Sequence, residues 1–95
     1  MAKAETLCKV RTDLRIKTRN LDGDLRDYVD ACLADLIMCG IRHPNESDPL
    51  ILNAIKLFCR AAYTDDSAEA DRYKDRYDSL KGSLMMATGY GGDPA

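Results

Sequence analysis

The chain has a single histidine, and the residues around it are the first place to look for chemistry. His43 is followed within five residues by Glu46, Ser47 and Asp48. A general base needs a partner that orients it and a pocket that tunes its pKa. These four residues share one short polar loop, where water surrounds them. We therefore interpret His43 as a solvated loop residue and predict that the chain has no catalytic site and is not an enzyme.

The cysteines and glycines are also poorly placed to bind a metal ion or a cofactor. Structural metal sites need clustered ligands, and the chain has no Cys-x-x-Cys pair and no histidine beside a cysteine. Each cysteine is predicted on an apolar helical face, where a thiol behaves as a small hydrophobe. A phosphate-binding loop follows a strand, and the glycines at 89–92 do not. We predict no metal and no cofactor. The four cysteines are Cys8, Cys32, Cys39 and Cys59.

Charge is distributed unevenly, although the net charge is only −2. Residues 1–20 carry six basic and two acidic side chains, whereas residues 21–48 carry seven acidic and two basic ones. Opposite charge on neighbouring elements suits head-to-tail self-association, and the alternative is two solvated helix faces. We predict a subunit interface between two sets of residues. The basic set is Lys9, Arg11, Arg15, Lys17 and Arg19, and the acidic set is Asp22, Asp24, Asp27 and Asp30.

The spacing of apolar residues places these side chains on helices. Apolar residues recur at intervals of three and four, and no stretch alternates as a strand does. We predict an all-α fold, a compact bundle of four helices over residues 2–14, 21–39, 49–63 and 68–87. Residues 1–88 then form one helical domain, and residues 89–95 form a flexible tail. No apolar run approaches the ~18 residues of a membrane span, so we expect a protein without a membrane partner that begins in the cytoplasm.

The third helix is expected to be the centre of the bundle. Asp48 and Pro49 form a strong helix start signal. Only Asn53, Lys56 and Arg60 interrupt the apolar run that follows, and they make one narrow polar stripe. A helix that is apolar around the rest of its circumference must be wrapped by other elements. The predicted core residues are Leu33, Leu36, Ile55, Phe58, Tyr77 and Leu80.

The end of the chain carries apolar side chains that the core does not need. Met85 and Met86 end the last predicted helix, and Tyr90 stands among glycines. Methionine adapts readily to an irregular partner surface, and a mobile segment can become ordered on binding. The alternative is a frayed terminus without a role. We predict a docking arm that includes Met85, Met86 and Tyr90.

The order of these segments resembles a known family. The chain is similar to the small head–tail connector proteins of tailed bacteriophages, also called adaptor or head-completion proteins. The similarity covers about residues 7–85. It rests on Leu14-Arg15-Ile16, the acidic helix Leu21 to Leu36, Gly40-Ile41, the block from Asp48-Pro49-Leu50-Ile51 to Leu57-Phe58, and Tyr77-Asp78-Ser79-Leu80.

The resemblance implies a structural function in virion assembly. Its members form a ring under the portal protein, join the phage head to the tail and extend the DNA channel. The implied partners are the portal, further copies of the chain, and the next neck or tail-completion protein. The implied ring is dodecameric in the virion, with a monomer as the alternative for the subunit alone. The resemblance also implies that DNA passes through the ring without sequence recognition and that the arm docks on the portal. The implied location is the virion neck. The alternative is a small helical regulatory protein that binds DNA or a partner helix.

Overall fold

Four helices make up nearly all of the structure that can be described. The structure is a computed structural model that describes residues 3–16, 20–42 and 44–86. Within those ranges the chain forms four α-helices and no strand, so the predicted all-α fold is confirmed. The predicted tail at 89–95 lies outside the described residues. The helices are α1 (Ala4–Asp13), α2 (Asp22–Met38), α3 (Pro49–Tyr63) and α4 (Ser67–Met86).

Side-chain caps fix the starts of α3 and α4. The carboxylate of Asp48 accepts a hydrogen bond of 2.9 Å from the backbone N–H of Leu50. Pro49 takes the first helical position, as the sequence predicts. At the start of α4, the carboxylate of Asp66 accepts from the N–H groups of Ala68 and Glu69, at 3.0 and 3.2 Å. These bonds satisfy backbone donors that have no partner inside the helix.

The end of α2 is a left-handed turn that ties the loop to the core. Gly40 has φ 98°, a conformation that glycine adopts without steric cost. The N–H of Ile41 donates to the carbonyl of Leu36, and the N–H of Gly40 donates to that of Ile37, both at 3.0 Å. Ile41 is thereby turned back into the core and is buried. The predicted end of the helix at Gly40 is confirmed.

The end of α1 repeats this turn without a glycine. The N–H of Ile16 donates to the carbonyl of Arg11 at 3.0 Å, and the N–H of Arg15 donates to that of Thr12 at 3.1 Å. Arg15 takes the left-handed position with φ 59°. An L-residue pays a steric cost of roughly 1 kcal/mol there that glycine avoids. The same backbone motif therefore ends both helices, but its left-handed position is occupied by Arg15 after α1 and by Gly40 after α2.

The core lies where α3 meets the other three helices. The α3 helix packs against α1, α2 and α4, and α1 also packs against α2. Of the predicted core, Leu33, Leu36, Ile55 and Tyr77 are buried. Phe58 and Leu80 also pack against this core, but they are less fully buried than the other four. The reason is their position, because each also lines an open cleft beside α4.

Successive helices alternate in direction, which gives the bundle two distinct ends. The backbone N–H of Lys3 donates to Glu46 at 3.0 Å, so α1 begins beside the loop that joins α2 to α3. Arg60, near the end of α3, pairs with Asp13 at the end of α1. We call the end with the start of α1 and the loop at 44–48 the lower end, and the end with Asp13 the upper end. The α2 and α4 helices both finish at the lower end.

Ile55 should carry a large share of the stability. Its side chain is completely buried in the core cluster, so Ile55→Ala should lower the free energy of unfolding by about 2–5 kcal/mol, through lost burial and the cavity that remains. Leu50→Ala is the matched control, because Leu50 lies on the same helix and is 46% exposed. Urea denaturation measures both. Equal losses would contradict the central position of α3.

Candidate functional site

An ion pair joins the upper ends of α1 and α3. The guanidinium of Arg60 donates two hydrogen bonds to the carboxylate of Asp13, through Nε and through a terminal nitrogen, both at 2.7 Å. These bonds raise the pKa of Arg60, although its burial opposes the shift. The same guanidinium lies 5.6 Å from the ring centre of Tyr73 on α4. A two-pronged bond of this kind fixes orientation as well as distance, so Arg60 holds three helices in register.

A second polar cluster joins α2 to α4. The hydroxyl of Tyr77 donates to Asp35 at 2.7 Å, and the ammonium of Lys81 donates to the same oxygen at 3.0 Å. The thiol of Cys32 donates to the Tyr77 oxygen at 3.8 Å. The Tyr77 ring also meets Phe58 edge to face, with 5.3 Å between ring centres. Both the ring and the hydroxyl of Tyr77 therefore make contacts within the subunit.

The pKa shifts in this cluster follow from its bonds. Burial would raise the pKa of Asp35, but the hydrogen bonds from Tyr77 and Lys81 and the charge of Lys81 outweigh burial and lower it. Burial would lower the pKa of Lys81, and the bond to Asp35 reverses that effect. Burial and the bond to Asp35 raise the pKa of Tyr77. Each shift holds the group in the charge state that these bonds require, which is typical of a structural bridge.

The cysteines divide into two buried and two accessible thiols. Burial raises the pKa of Cys32 and of Cys59 to about 12. Cys39 is half-buried, and Cys8 is exposed, so the prediction that each cysteine lies on an apolar helical face is wrong for Cys8. Cys8, Lys9 and Thr12 line the same depression between α1 and α3, to which Lys56 also contributes.

Two of the predicted basic residues are paired within the subunit. Lys9 lies 3.4 Å from Glu5 on the same helix, and the two side chains are 43% and 73% exposed. Arg11 lies 3.5 Å from Asp22, an acidic residue predicted to face a different subunit. Arg15 is exposed. The remaining two, Lys17 and Arg19, lie outside the described residues, as does His43.

The predicted acidic residues point in different directions. Asp24 and Asp27 are exposed on α2, whereas Asp22 and Asp30 are half-buried, and Asp30 has an interaction partner of its own. Asp24 and Asp27 are therefore the acidic residues that the structure leaves accessible to another molecule. The subunit interface itself stays a prediction.

The lower end of the bundle exposes apolar side chains from three helices. Met38 at the end of α2 is 85% exposed, and Met86 at the end of α4 is 87% exposed. Ile37, Leu50 and Met85 are about half exposed at the same end. Exposed apolar side chains that form a contiguous patch typically mark an interaction site, and these five share one end of the bundle. Met85 and Met86 belong to the predicted docking arm, and Tyr90 lies outside the described residues.

The described residues offer little else that could do chemistry. Within them, no three His, Cys, Asp or Glu side chains stand close enough together to hold a metal ion. None of the described helices is long and apolar enough to cross a membrane. The clefts that do exist lie on either side of α4, where pairs of oppositely charged residues line them.

Sequence reasoning missed the two polar bridges and most of the apolar lower end. Asp13 and Arg60 are 47 residues apart, and Asp35 and Tyr77 are 42 apart. A pairing over such separations leaves no local pattern in a sequence. A usable signal existed for Met38, because at 100° per residue it lies almost opposite the buried face of α2, on which Leu25, Val29, Cys32, Leu33 and Leu36 lie.

Comparison with known protein families identifies a relationship. A family model described as "Phage connector protein" matches residues 6–91, most of the chain. No curated protein sequence and no solved structure matches it.

Removing the Tyr77 hydroxyl should destabilise the protein in a pH-dependent way. Tyr77→Phe keeps the ring but loses a bond to a carboxylate, so the free energy of unfolding should fall by about 1–3 kcal/mol at pH 7. The folded-state pKa of Asp35 is lowered, so its bonds stabilise the fold fully above the unfolded pKa of ~3.9. The stabilisation that these bonds give is lost as the pH falls through the folded-state pKa of Asp35. Denaturation from pH 7 to pH 2 should show the two proteins converging. A constant difference would contradict this account.

The thiols should react at very different rates. At pH 7 a maleimide should modify Cys8 first and Cys39 more slowly, while Cys32 and Cys59 stay protected, because only a thiolate that solvent reaches is a good nucleophile. Peptide mass spectrometry over time measures the order. Denaturant provides the control, since all four should then react alike. Early labelling of Cys59 in native protein would contradict the described packing.

Proposed function

The chain belongs to the phage connector protein family, and on that premise we propose that it is a structural protein of the virion neck that joins the phage head to the tail. The observation that carries the proposal is the family match across residues 6–91. Because the match spans all four helices, it concerns the whole folded subunit and not one local motif. We propose a role in assembly and no catalysis.

The proposed partners follow from the same premise. We propose that the subunit forms a ring under the portal protein, with the DNA channel running through the ring. The next neck or tail-completion protein binds the other side of the ring. Before assembly, the subunit resides in the host cytoplasm. A ring subunit needs an upper face, a lower face and two sides, and the alternation of the helices supplies two ends that differ in chemistry.

The exposed apolar lower end supports a docking role. The side chains of Met38 and Met86 are almost fully exposed, and a subunit that worked alone would gain by replacing them with polar residues. Methionine side chains adapt to irregular apolar surfaces. We propose that this end, continued by the residues that follow Met86, docks onto the portal.

The regulatory alternative has less support. A protein that binds nucleic acid needs cations that remain free for phosphate groups. Here Arg11 is paired with Asp22, and Lys9 lies beside Glu5, so the basic segment loses part of its charge inside the subunit. The net charge of −2 also disfavours a strong DNA binder.

The docking proposal predicts that two methionines matter for assembly and little for folding. Met85→Ser with Met86→Ser should leave the melting temperature within a few degrees, because these side chains are 40% and 87% exposed. The double variant should join portal-bearing heads at least several-fold less well, measured by co-sedimentation. Tyr63→Ser is the matched control, since Tyr63 is exposed at the upper end.

Deleting residues 88–95 tests the arm separately. A docking arm predicts that the truncated protein folds normally and joins heads poorly. If the truncated protein and the double methionine variant both join portal-bearing heads as well as the unaltered chain, docking through the lower end is wrong.

A further inference from the structure

The α4 helix contains a glycine at a position where the packing has room for a side chain. Gly82 lies four residues before the helix ends at Met86. Within the described part of the chain, a Cβ atom added at Gly82 would meet no packed neighbour within 4 Å. Glycine lowers the stability of a helix relative to alanine, because it loses more conformational freedom on folding. Gly82 therefore weakens α4 at a point where alanine would fit.

The residue after Gly82 adds a second weakness at the same place. The hydroxyl of Ser83 donates to the backbone carbonyl of Ser79, one turn earlier, at 3.2 Å. A serine bond of this kind slightly destabilises a helix and often bends it. Adjacent glycine and serine residues are also among the few recognised causes of sharp helix kinks. Residues 82 and 83 together form a weak point in α4.

The polar bridge that joins α4 to α2 ends immediately before this weak point. The hydroxyl of Tyr77 donates to Asp35 at 2.7 Å, and the ammonium of Lys81 donates to the same carboxylate at 3.0 Å. Lys81 is the residue that precedes Gly82. The bridge therefore fixes the helix up to the weak point. We call residues 67–81 the body of α4.

The turn that follows Gly82 carries part of the proposed docking surface. Met85 is 40% exposed and Met86 is 87% exposed, and both belong to the lower end that we propose docks onto the portal. Leu84 is the buried side chain of this turn. The core therefore holds the turn through one leucine, while both methionines are open to solvent. We call residues 83–86 the last turn of α4.

A weak point between a fixed body and a binding turn has the position of a hinge. Hinges are a few residues near the ends of elements that absorb changes in backbone angle, while the parts on either side stay intact. A change in backbone angle at Gly82 leaves the bonds of Tyr77 and Lys81 to α2 in place, because both precede it. Lower stability at such a position is typical of sites where function needs flexibility.

We propose that Gly82 is the hinge of α4, and that the last turn changes its angle there when the lower end docks. The inference rests on the proposed docking role and adds a moving part to it. In the free subunit, Leu84 holds the last turn in line with the body. On docking, the turn tilts until Met85 and Met86 meet the partner surface, while the body keeps its bonds to α2.

The substitution Gly82→Ala separates stability from docking. A methyl group fits at this position, and alanine is the better helix former, so the melting temperature should rise by about 4 °C. The same variant should join portal-bearing heads at least several-fold less well, measured by co-sedimentation, because the stiffened turn no longer tilts. Such a loss could not be explained by unfolding. Undiminished joining by the stabilised variant would overturn the hinge.

The matched control is Gly23→Ala. Gly23 lies in α2 at the upper end, and an added Cβ there also meets no described neighbour within 4 Å. The control should keep or raise the melting temperature and leave joining unchanged. An equal loss of joining in both variants would overturn the hinge, because the loss would not depend on where the helix is stiffened.

Moving the glycine by one position tests flexibility against steric hindrance. The double substitution Gly82→Ala with Ser83→Gly keeps one glycine near the end of α4, and Ser83 is exposed. A hinge predicts that this chain recovers most of the joining lost in Gly82→Ala alone. If the new methyl group instead obstructs the partner, the second substitution leaves joining low. That result would overturn the hinge.

Amide hydrogen exchange measures the hinge in the free subunit. The amides of residues 84–86 should exchange faster than those of residues 78–81, because the last turn opens locally. Gly82→Ala should slow exchange at residues 84–86 about fivefold, whereas Gly23→Ala should leave that local opening unchanged. Equal protection of the last turn and the body in the unaltered chain would overturn the hinge.

The double methionine variant separates this inference from the proposed function. If Met85→Ser with Met86→Ser lowers joining and Gly82→Ala does not, the hinge is wrong and the docking role stands. If neither variant lowers joining, docking through the lower end is wrong, and the hinge is wrong with it.

Discussion

The burial of α3 is the constraint on which the rest of the structure depends. This helix is too apolar to stand in water, so three other helices must cover it, and their places follow from its residues. The α2 helix packs on its buried face, and α1 and α4 pack on its flanks. The side that carries the polar stripe stays open. The cleft between α1 and α4 therefore lies over three polar positions, Asn53, Lys56 and Arg60, in the otherwise apolar run of α3.

Polar bridges decide how the covering helices are aligned. Apolar packing fills space without choosing one exact register, whereas the Arg60–Asp13 and Tyr77–Asp35 bonds hold at fixed distances of 2.7 Å. One bridge lies at the upper end of α1, and the other ties the lower half of α2 to α4. Together they hold the four helices in the relative positions that give the bundle two chemically different ends.

The sequence predicted the elements better than it predicted the contacts. Local signals gave the helices and their limits, because Asp48, Pro49 and Gly40 act within a few residues of themselves. The resemblance to connector proteins is confirmed by the family match. The predicted charge interface did not foresee that Arg11 pairs with Asp22 inside the subunit. Such a pairing depends on how two helices pack, and no periodic pattern encodes that.

The bidentate bond of Arg60 has a consequence for motion. The α1 helix has only ten residues and buries only Thr6, Leu7 and Val10, so by itself it would not persist in water. Local opening of this helix should therefore cost less free energy than global unfolding, and the Asp13–Arg60 bond is among the contacts that must break when α1 opens.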